Sequence, residues 1–261
     1  MATVRPIPQS YYYSGQGRLF MGERDPVTGR PLSLIPVGNV PELEISIAVT
    51  KFEHKESMSG QRSVDLTVIT EKTPTISITL ESLDPRTLAM GLWGISREEA
   101  GATVTAETIK IKPGMTFALA NPGVEDVVIQ VAGADIDEAT NYDIDPGFGT
   151  IYVKADAADI TAEVEATISY KHGDTQRLDA LMTETPPERF LRFEGLNTVN
   201  GDLVLVEIPR VSFEPIASLP LINEELAQAE ITANILLDPL VVTQGVSQFF
   251  TQRIVKPAVT P

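Results

Sequence analysis

Two histidines, His54 and His172, and no cysteine make up the whole stock of imidazole and thiol chemistry in this chain. Without thiols it has neither disulfides nor thiolate metal ligands. His172 stands in KHGD, with Asp174 two residues on. An acyl-transfer triad also needs a nucleophile on a strained elbow, and no GxSxG is present. We read KHGD as turn residues at a domain junction. In SGQGRLFMG, Gly15, Gly17 and Gly22 neither follow a strand nor open a helix. They suit a flexible lead-in to the first strand better than a phosphate cradle. The stretch ADIDEATNYDIDPG carries Asp135, Asp137, Asp143 and Asp145, and hard cations such as calcium favour several oxygen ligands. It lacks the DxDxDG spacing and a bidentate Glu at the twelfth position. Acidic turn residues facing water are the plainer reading, and a metal in this loop stays open. So many exposed acids leave no carboxylate pair assignable to glycoside cleavage. No catalytic residue, metal site or cofactor is expected.

The chain has 261 residues, 43% of them hydrophobic and 21% charged, which places it among globular proteins with material for a large core. Its net charge of −16 repels phosphate backbones, and no basic run offsets it, so sequence-specific nucleic-acid binding is not expected. The opening MATVRPIPQSYYYSG holds no apolar run of signal-peptide length, and no segment approaches the ~20 apolar residues of a membrane span. The expectation is a chain made and folded in a cytoplasm.

Period-two alternation dominates. ELEISIAV puts Leu43, Ile45, Ile47 and Val49 on one face; SVDLTV does the same for Val64, Leu66 and Val68, and TPTISITLES for Ile76, Ile78 and Leu80. Further strands are expected at RFLRF, LVLVEI, EITANILL and QFFTQRIV, and GRLFMGE and LSLIPV flank a DPVTG turn. LVLVEI is apolar on both faces, which predicts cover on both sides by a helix or another copy. In LDPRTLAMGLWG, Asp84 suits the N-cap, Pro85 the first turn and Gly94 the end of a short packed helix. DTQRLDALMTET (174–185) fits either a capped helix or a strand.

Residues 101–173 differ in composition, with twelve acids against four bases, and their short strands are broken by KPG, ANPG and DPGFG turns. We expect an inserted acidic β-sandwich-like domain at 101–173, within a β-domain made of 1–100 and 174–261. The insert's aromatics, Phe117, Tyr142, Phe148, Tyr152 and Tyr170, are spaced as core and turn residues.

Opposite the apolar stripes lie Glu42, Glu44, Ser46, Ala48 and Thr50, then Asp65, Thr67, Ile69 and Glu71, then Thr75, Ser77, Thr79 and Glu81. None of these is a base, whereas a solvated face normally mixes both signs. Either this face is merely solvated, or it is a wall past which a polyanion slides without sticking. Between the first two strands KFEHKESMSGQRS (51–63) is far longer than the two to five residues of most hairpin loops. It offers Phe52, His54 and Met58 as contact residues among charges of both signs.

YSGQGRLFMGERDPVTGRPLSLIPVGNVPELEISIAV, the long arm, the helix at DPRTLAMGLWG, RFLRFEGLNTVNGDLVLVEIPRVSFEP and LPLINEELAQAEITANILLDP together resemble the major tail tube protein of long-tailed (siphovirus-type) bacteriophages. So do the insert's NYDIDPGFGTIYV turn and its closing ATISYKHGD. The order of elements carries the match. The resemblance implies a mainly β fold: a tail-tube-type β-sandwich/barrel with one short packed helix and an inserted all-β domain. Rings of six subunits would stack into a conduit for DNA ejection. Lys51, Phe52, Glu53, His54, Lys55, Glu56, Met58 and Arg62 would form the arm that docks on the adjacent ring. Glu42, Glu44, Ser46, Thr50, Asp65, Thr67, Glu71, Thr75, Ser77, Thr79 and Glu81 would face the lumen. Implied partners are other copies of the chain and the tape measure, tail terminator and tail-tip proteins, with viral DNA passing unbound. The implied location is the virion, after assembly in the host cytoplasm. The competing readings are a monomeric β-sandwich binding module for carbohydrate or cell-surface adhesion, a hydrolase using the acidic cluster, and another phage part such as a contractile-tail tube or capsid-decorating protein.

Overall fold

The computed structural model describes residues 11–182 and 188–255, and the chain is mainly β. In chain order the elements are β1 (Gly15–Glu23), β2 (Ile35–Pro36), β3 (Glu42–Lys55), β4 (Val64–Leu80), α1 (Pro85–Gly91), β5 (Ile95–Glu99), β6 (Ala102–Ile111), β7 (Thr116–Ala118), β8 (Val124–Val131) and β9 (Ala134–Asp135). They continue with α2 (Glu138–Asn141), β10 (Tyr142–Asp145), β11 (Thr150–Val153), β12 (Val164–His172), β13 (Thr175–Asp179), β14 (Glu188–Asn197), β15 (Leu203–Phe213), β16 (Ala229–Ile235) and β17 (Thr251–Val255). Among the described residues no helix is long and apolar enough to cross a membrane.

The chain divides into two compact units, Met1–Ile95 with Asp179–Pro261, and Ser96–Leu178. The second unit begins and ends about five residues outside the expected 101–173, because β5 and β13 pair with each other at its two ends.

The first unit is one antiparallel sheet in the order β2-β1-β14-β15-β16-β4-β3. β15 changes partner along its length: Val211–Phe213 pair with β16, whereas Leu203–Glu207 pair with β17. The sheet curls, so Leu19 and Met21 of β1 share one core with Ile76 and Ile78 of β4, and with Leu191, Ile208, Phe213 and Ile231 between them. In LVLVEI, Val204 and Ile208 are buried while Leu203 stays 53% exposed. α1 follows its sequence signals. The Asp84 carboxylate accepts from the Arg86 N–H, and Thr87, Leu88 and Ala89 are buried. The left-handed residue that ends it is Trp93 (φ 50°) rather than Gly94, and Trp93 Nε1 donates to the Phe213 carbonyl at 3.1 Å. Arg24 and Asp238 form an ion pair of 2.6 Å with side-chain exposures of 10% and 1%.

Two strand assignments in this unit differ from the sequence expectation. Gly15, Gly17 and Gly22 are not a lead-in but lie inside β1. Gly17 pairs with Gly195, and a Cβ on it would come within 2.4 Å of the Glu194 carbonyl oxygen, so the glycine permits close strand approach. The runs at 64–68 and 76–80 are not separate strands but one strand, β4, of 17 residues.

The second unit stacks the sheet β6-β12-β8-β9 and the sheet β10-β11-β7 around a shared core of Ile111, Ile129, Ile151, Val153, Ile168 and Tyr170. Tyr170 donates to Glu107 and accepts from the Asn121 amide. Burial and the Glu107 carboxylate push its phenol above the ordinary 10.0. Of the insert's aromatics, Tyr142 and Tyr170 are core residues, whereas Phe148 and Tyr152 are 77% and 42% exposed. The segment at 174–185 begins as strand β13; residues 183–185 lie outside the described residues, as do the first ten.

Candidate assembly surface

β3 and β4 form one antiparallel hairpin whose register is continuous from Glu42↔Thr79 to Lys55↔Val64, with irregularities at Thr50/Lys51 and His54/Lys55. Its base packs on the core: Pro74, Ile76, Ile78 and Leu80 are buried and Leu43 and Ile45 half-buried. Beyond that base every residue from Ser46 to Lys55 and from Val64 to Thr73 is exposed. The expected 51–63 loop is therefore corrected. Lys51–Lys55 belong to β3, and the true loop is 56–63 at the tip of a projecting ribbon.

Facing partners in an antiparallel pair share a side of the sheet. Leu43/Ile78, Ile45/Ile76 and Ile47/Pro74 define the core side. Glu42/Thr79, Glu44/Ser77, Ser46/Thr75, Ala48/Thr73 and Thr50/Glu71 define the outer side. Thr70 is then the extra residue of a bulge, its hydroxyl donating to the Thr50 carbonyl at 3.1 Å. A bulge shifts side-chain parity by one. Past it, Phe52/Val68 and His54/Leu66 occupy the outer side, and Lys51/Ile69 and Glu53/Thr67 the core side. Thr67 thus does not share a face with Glu42 and Glu44. Asp65 is the extra residue of the second irregularity and meets His54 Nδ1 at 2.6 Å, so it belongs to the arm rather than to the polar wall.

The polar wall gains a strand that sequence reading missed. β16 pairs with β4 as Glu230↔Thr79, Thr232↔Ser77 and Asn234↔Thr75, while its alternate residues Ile231, Ala233 and Ile235 are buried. Alternation in EITANILL marks this outward face, but only the crossover pairing places it beside β4. Three strands therefore present Glu42, Glu44, Ser46, Thr50, Glu71, Thr73, Thr75, Ser77, Thr79, Glu230, Thr232 and Asn234 on one side with no base among them. Ser77 Oγ donates to Glu230 at 2.9 Å. Glu81 follows β4 and is held by Asn39 and Gln228 at the hairpin's base.

The tip is ordered by its own hydrogen bonds. Glu56 N donates to the Ser63 carbonyl at 2.9 Å, and its carboxylate accepts from Met58 N, Ser59 N and the Ser59 hydroxyl. Those bonds hold the Glu56 carboxyl below its ordinary range. Gly60 and Arg62 take positive φ to close the turn. Around it Ile47, Val49, Phe52, Met58, Val64, Leu66, Val68 and Ile69 are between 41% and 94% exposed. A two-stranded ribbon of this kind is marginal alone in water, and exposed apolar side chains on both of its faces mark a contact surface.

The acids of the second unit do not converge. Asp135 accepts from Gln130, Asp143 meets Lys154 at 3.3 Å, and Asp145 caps its own turn at Gly147 N. Among the described residues no three His, Cys, Asp or Glu side chains form a metal-holding group. His172 lies at the end of β12 with Nδ1 3.1 Å from the Gly173 carbonyl, and Asp174 accepts from Gly101 N.

The profile of a family described as "Protein of unknown function UCP028589" matches residues 12–253, which is most of the chain. The chain belongs to that family. The match to UCP028589 takes in the hairpin, the three-stranded polar wall and the whole of the second unit. No curated protein matches the chain.

Proposed function

We propose that this chain is a structural subunit that assembles with copies of itself into stacked rings, forming the tail tube of a long-tailed bacteriophage, a virion component through which DNA leaves. One observation carries the reading: the β3–β4 ribbon projects beyond its own core with eight large apolar side chains exposed. Such a ribbon is stabilised by another chain. The outer edge of β3 has no strand beside it among the described residues, and an unpaired edge is a template for pairing. A head-to-tail contact between identical subunits closes into rings or propagates as a filament.

The base-free wall supports the second half of the reading. Repeated around a ring, its hydroxyls, amides and carboxylates repel phosphate weakly everywhere and bind it nowhere. Tape measure, terminator and tip proteins would be the chain's partners at the tube's axis and ends. Electron microscopy of the purified protein across a concentration series tests the proposal. Tubes or stacked rings are expected; a strictly monomeric species at high concentration contradicts it.

A further inference from the structure

The β15–β16 connection, residues 214–228, has no regular secondary structure and exposes Leu221 (85%), Ile222 (98%) and Leu226 (81%). A loop this long with apolar side chains in water calls for a partner. Its position in the fold narrows the choice. Gln228 immediately precedes Ala229, which pairs with Leu80, and its amide donates to Glu81 at 2.9 Å. The loop therefore ends at the base of the hairpin, whereas the arm tip lies beyond Val64 at the opposite end of β4. At ~3.3 Å per residue that strand is roughly 55 Å long. The exposed apolar side chains of the arm tip and of this loop therefore lie at opposite ends of the β3–β4 hairpin.

Their charges are complementary. On the arm Lys51, Lys55, Arg62 and Lys72 are exposed and make no ion pair among the described residues. The arm's acids are Glu53, Glu56, Asp65 and Glu71. Glu56 is engaged by the turn N–H groups and Asp65 by His54, which leaves four bases against two exposed acids, Glu53 and Glu71. The 214–228 loop carries Glu214, Glu224 and Glu225 and no base. Glu224 and Glu225 are exposed and their carboxylates are unpaired among the described residues. An apolar tip with an excess of unengaged bases thus has its counterpart in an acidic apolar loop of the same chain.

We infer that the arm tip of one copy docks on the 214–228 loop of the next copy along the hairpin axis. The loop straddles the free edge of β3, so that Phe52 on the outer side and Met58 at the tip pack against Leu221, Ile222 and Leu226 while Lys51 and Lys55 on the core side face Glu224 and Glu225. This rests on the tube reading and specifies the surface that receives the arm. Because donor and acceptor lie at opposite ends, each docked copy presents a fresh loop, and the contact repeats without limit.

Charge exchange tests the pairing in the full chain. Glu224→Lys with Glu225→Lys, or Lys51→Glu with Lys55→Glu, should each raise the concentration threshold for elongation roughly tenfold or more, since like charges then oppose one another at every repeat. Thermal melts of both variants should match the wild type, because every substituted side chain is exposed. The chain carrying all four substitutions should return to within about threefold of the wild-type threshold. Ile222→Ser with Leu226→Ser should also raise the threshold, independently of charge. Elongation of the Glu224→Lys, Glu225→Lys chain at the wild-type threshold, or a fourfold variant no better than its parents, overturns the pairing and leaves the tube reading standing. A wild-type chain that stays monomeric overturns both.

Discussion

Phe52 gives the sharpest test of the arm. It sits on β3 opposite Val68, beyond the bulge, and is 55% exposed. Neither Phe52 nor Val68 belongs to the core cluster of its unit. Phe52→Ser therefore removes one cross-strand pair, a matter of about 0.2–1 kcal/mol. For a unit of this size that moves the melting temperature by no more than about 2–4 °C. Assembly responds differently. Burying a whole phenylalanine side chain contributes about 1.5–3 kcal/mol, so covering the exposed half contributes about 0.8–1.6 kcal/mol per arm. Six arms per ring, the number that the family resemblance implies, multiply this to about 5–10 kcal/mol. At 1.4 kcal/mol per tenfold, ring addition weakens by roughly three to seven orders of magnitude. The assay is the threshold concentration for elongation, followed by light scattering and checked by microscopy, beside a thermal melt of the unassembled subunit. An unchanged threshold in a normally folded Phe52→Ser chain would refute the docking role. Deletion of 52–62 should be more severe, leaving a folded subunit that does not elongate.

Three further outcomes are expected. Ser46→Lys with Ser77→Lys places cations on the base-free wall and should slow DNA ejection from particles while sparing tube length; unchanged ejection kinetics would mean the wall does not meet DNA. Arg24→Ala strands Asp238, which is 1% exposed, and should destabilise the first unit by about 3–5 kcal/mol in denaturant unfolding. A loss under 1 kcal/mol would show the pair to be dispensable. Tyr170 titrates above the ordinary 10.0 in the folded chain, so its contribution to the second unit is complete below that pH and is lost as pH rises through the higher folded value. Tyr170→Phe should cost about 1 kcal/mol at neutral pH, by leaving Glu107 and Asn121 without their partner, and should flatten the alkaline melting curve. An alkaline curve parallel to the wild type would assign that loss to another group.

Alternation marks β16 and the base of the β3–β4 hairpin because those segments bury one face on the core. α1 was legible from Asp84 and Pro85. KFEHK carries no strand pattern, since it mixes charged and aromatic side chains on a ribbon that has no core to impose one. Thr70–Thr73 break the apolar stripe of β4 and divide it in the sequence, although the ladder to β3 resumes across the one unpaired residue, Thr70. The bulge at Thr70 reversed the face assigned to Thr67. Its cause is local backbone geometry that no residue type announces. Glu230, Thr232 and Asn234 were missed for a different reason: which strand neighbours β4 is a non-local choice, visible only once β16 crosses over to it.

The central claim is that the base-free wall surrounds a hollow. The chain has no cysteine, so a single Ser46→Cys substitution provides one thiol on that wall. Assembled particles labelled with a maleimide gold cluster small enough to enter the tube should show gold density along the axis in cryo-electron micrographs. Gold on the outer surface of the particles would contradict the account.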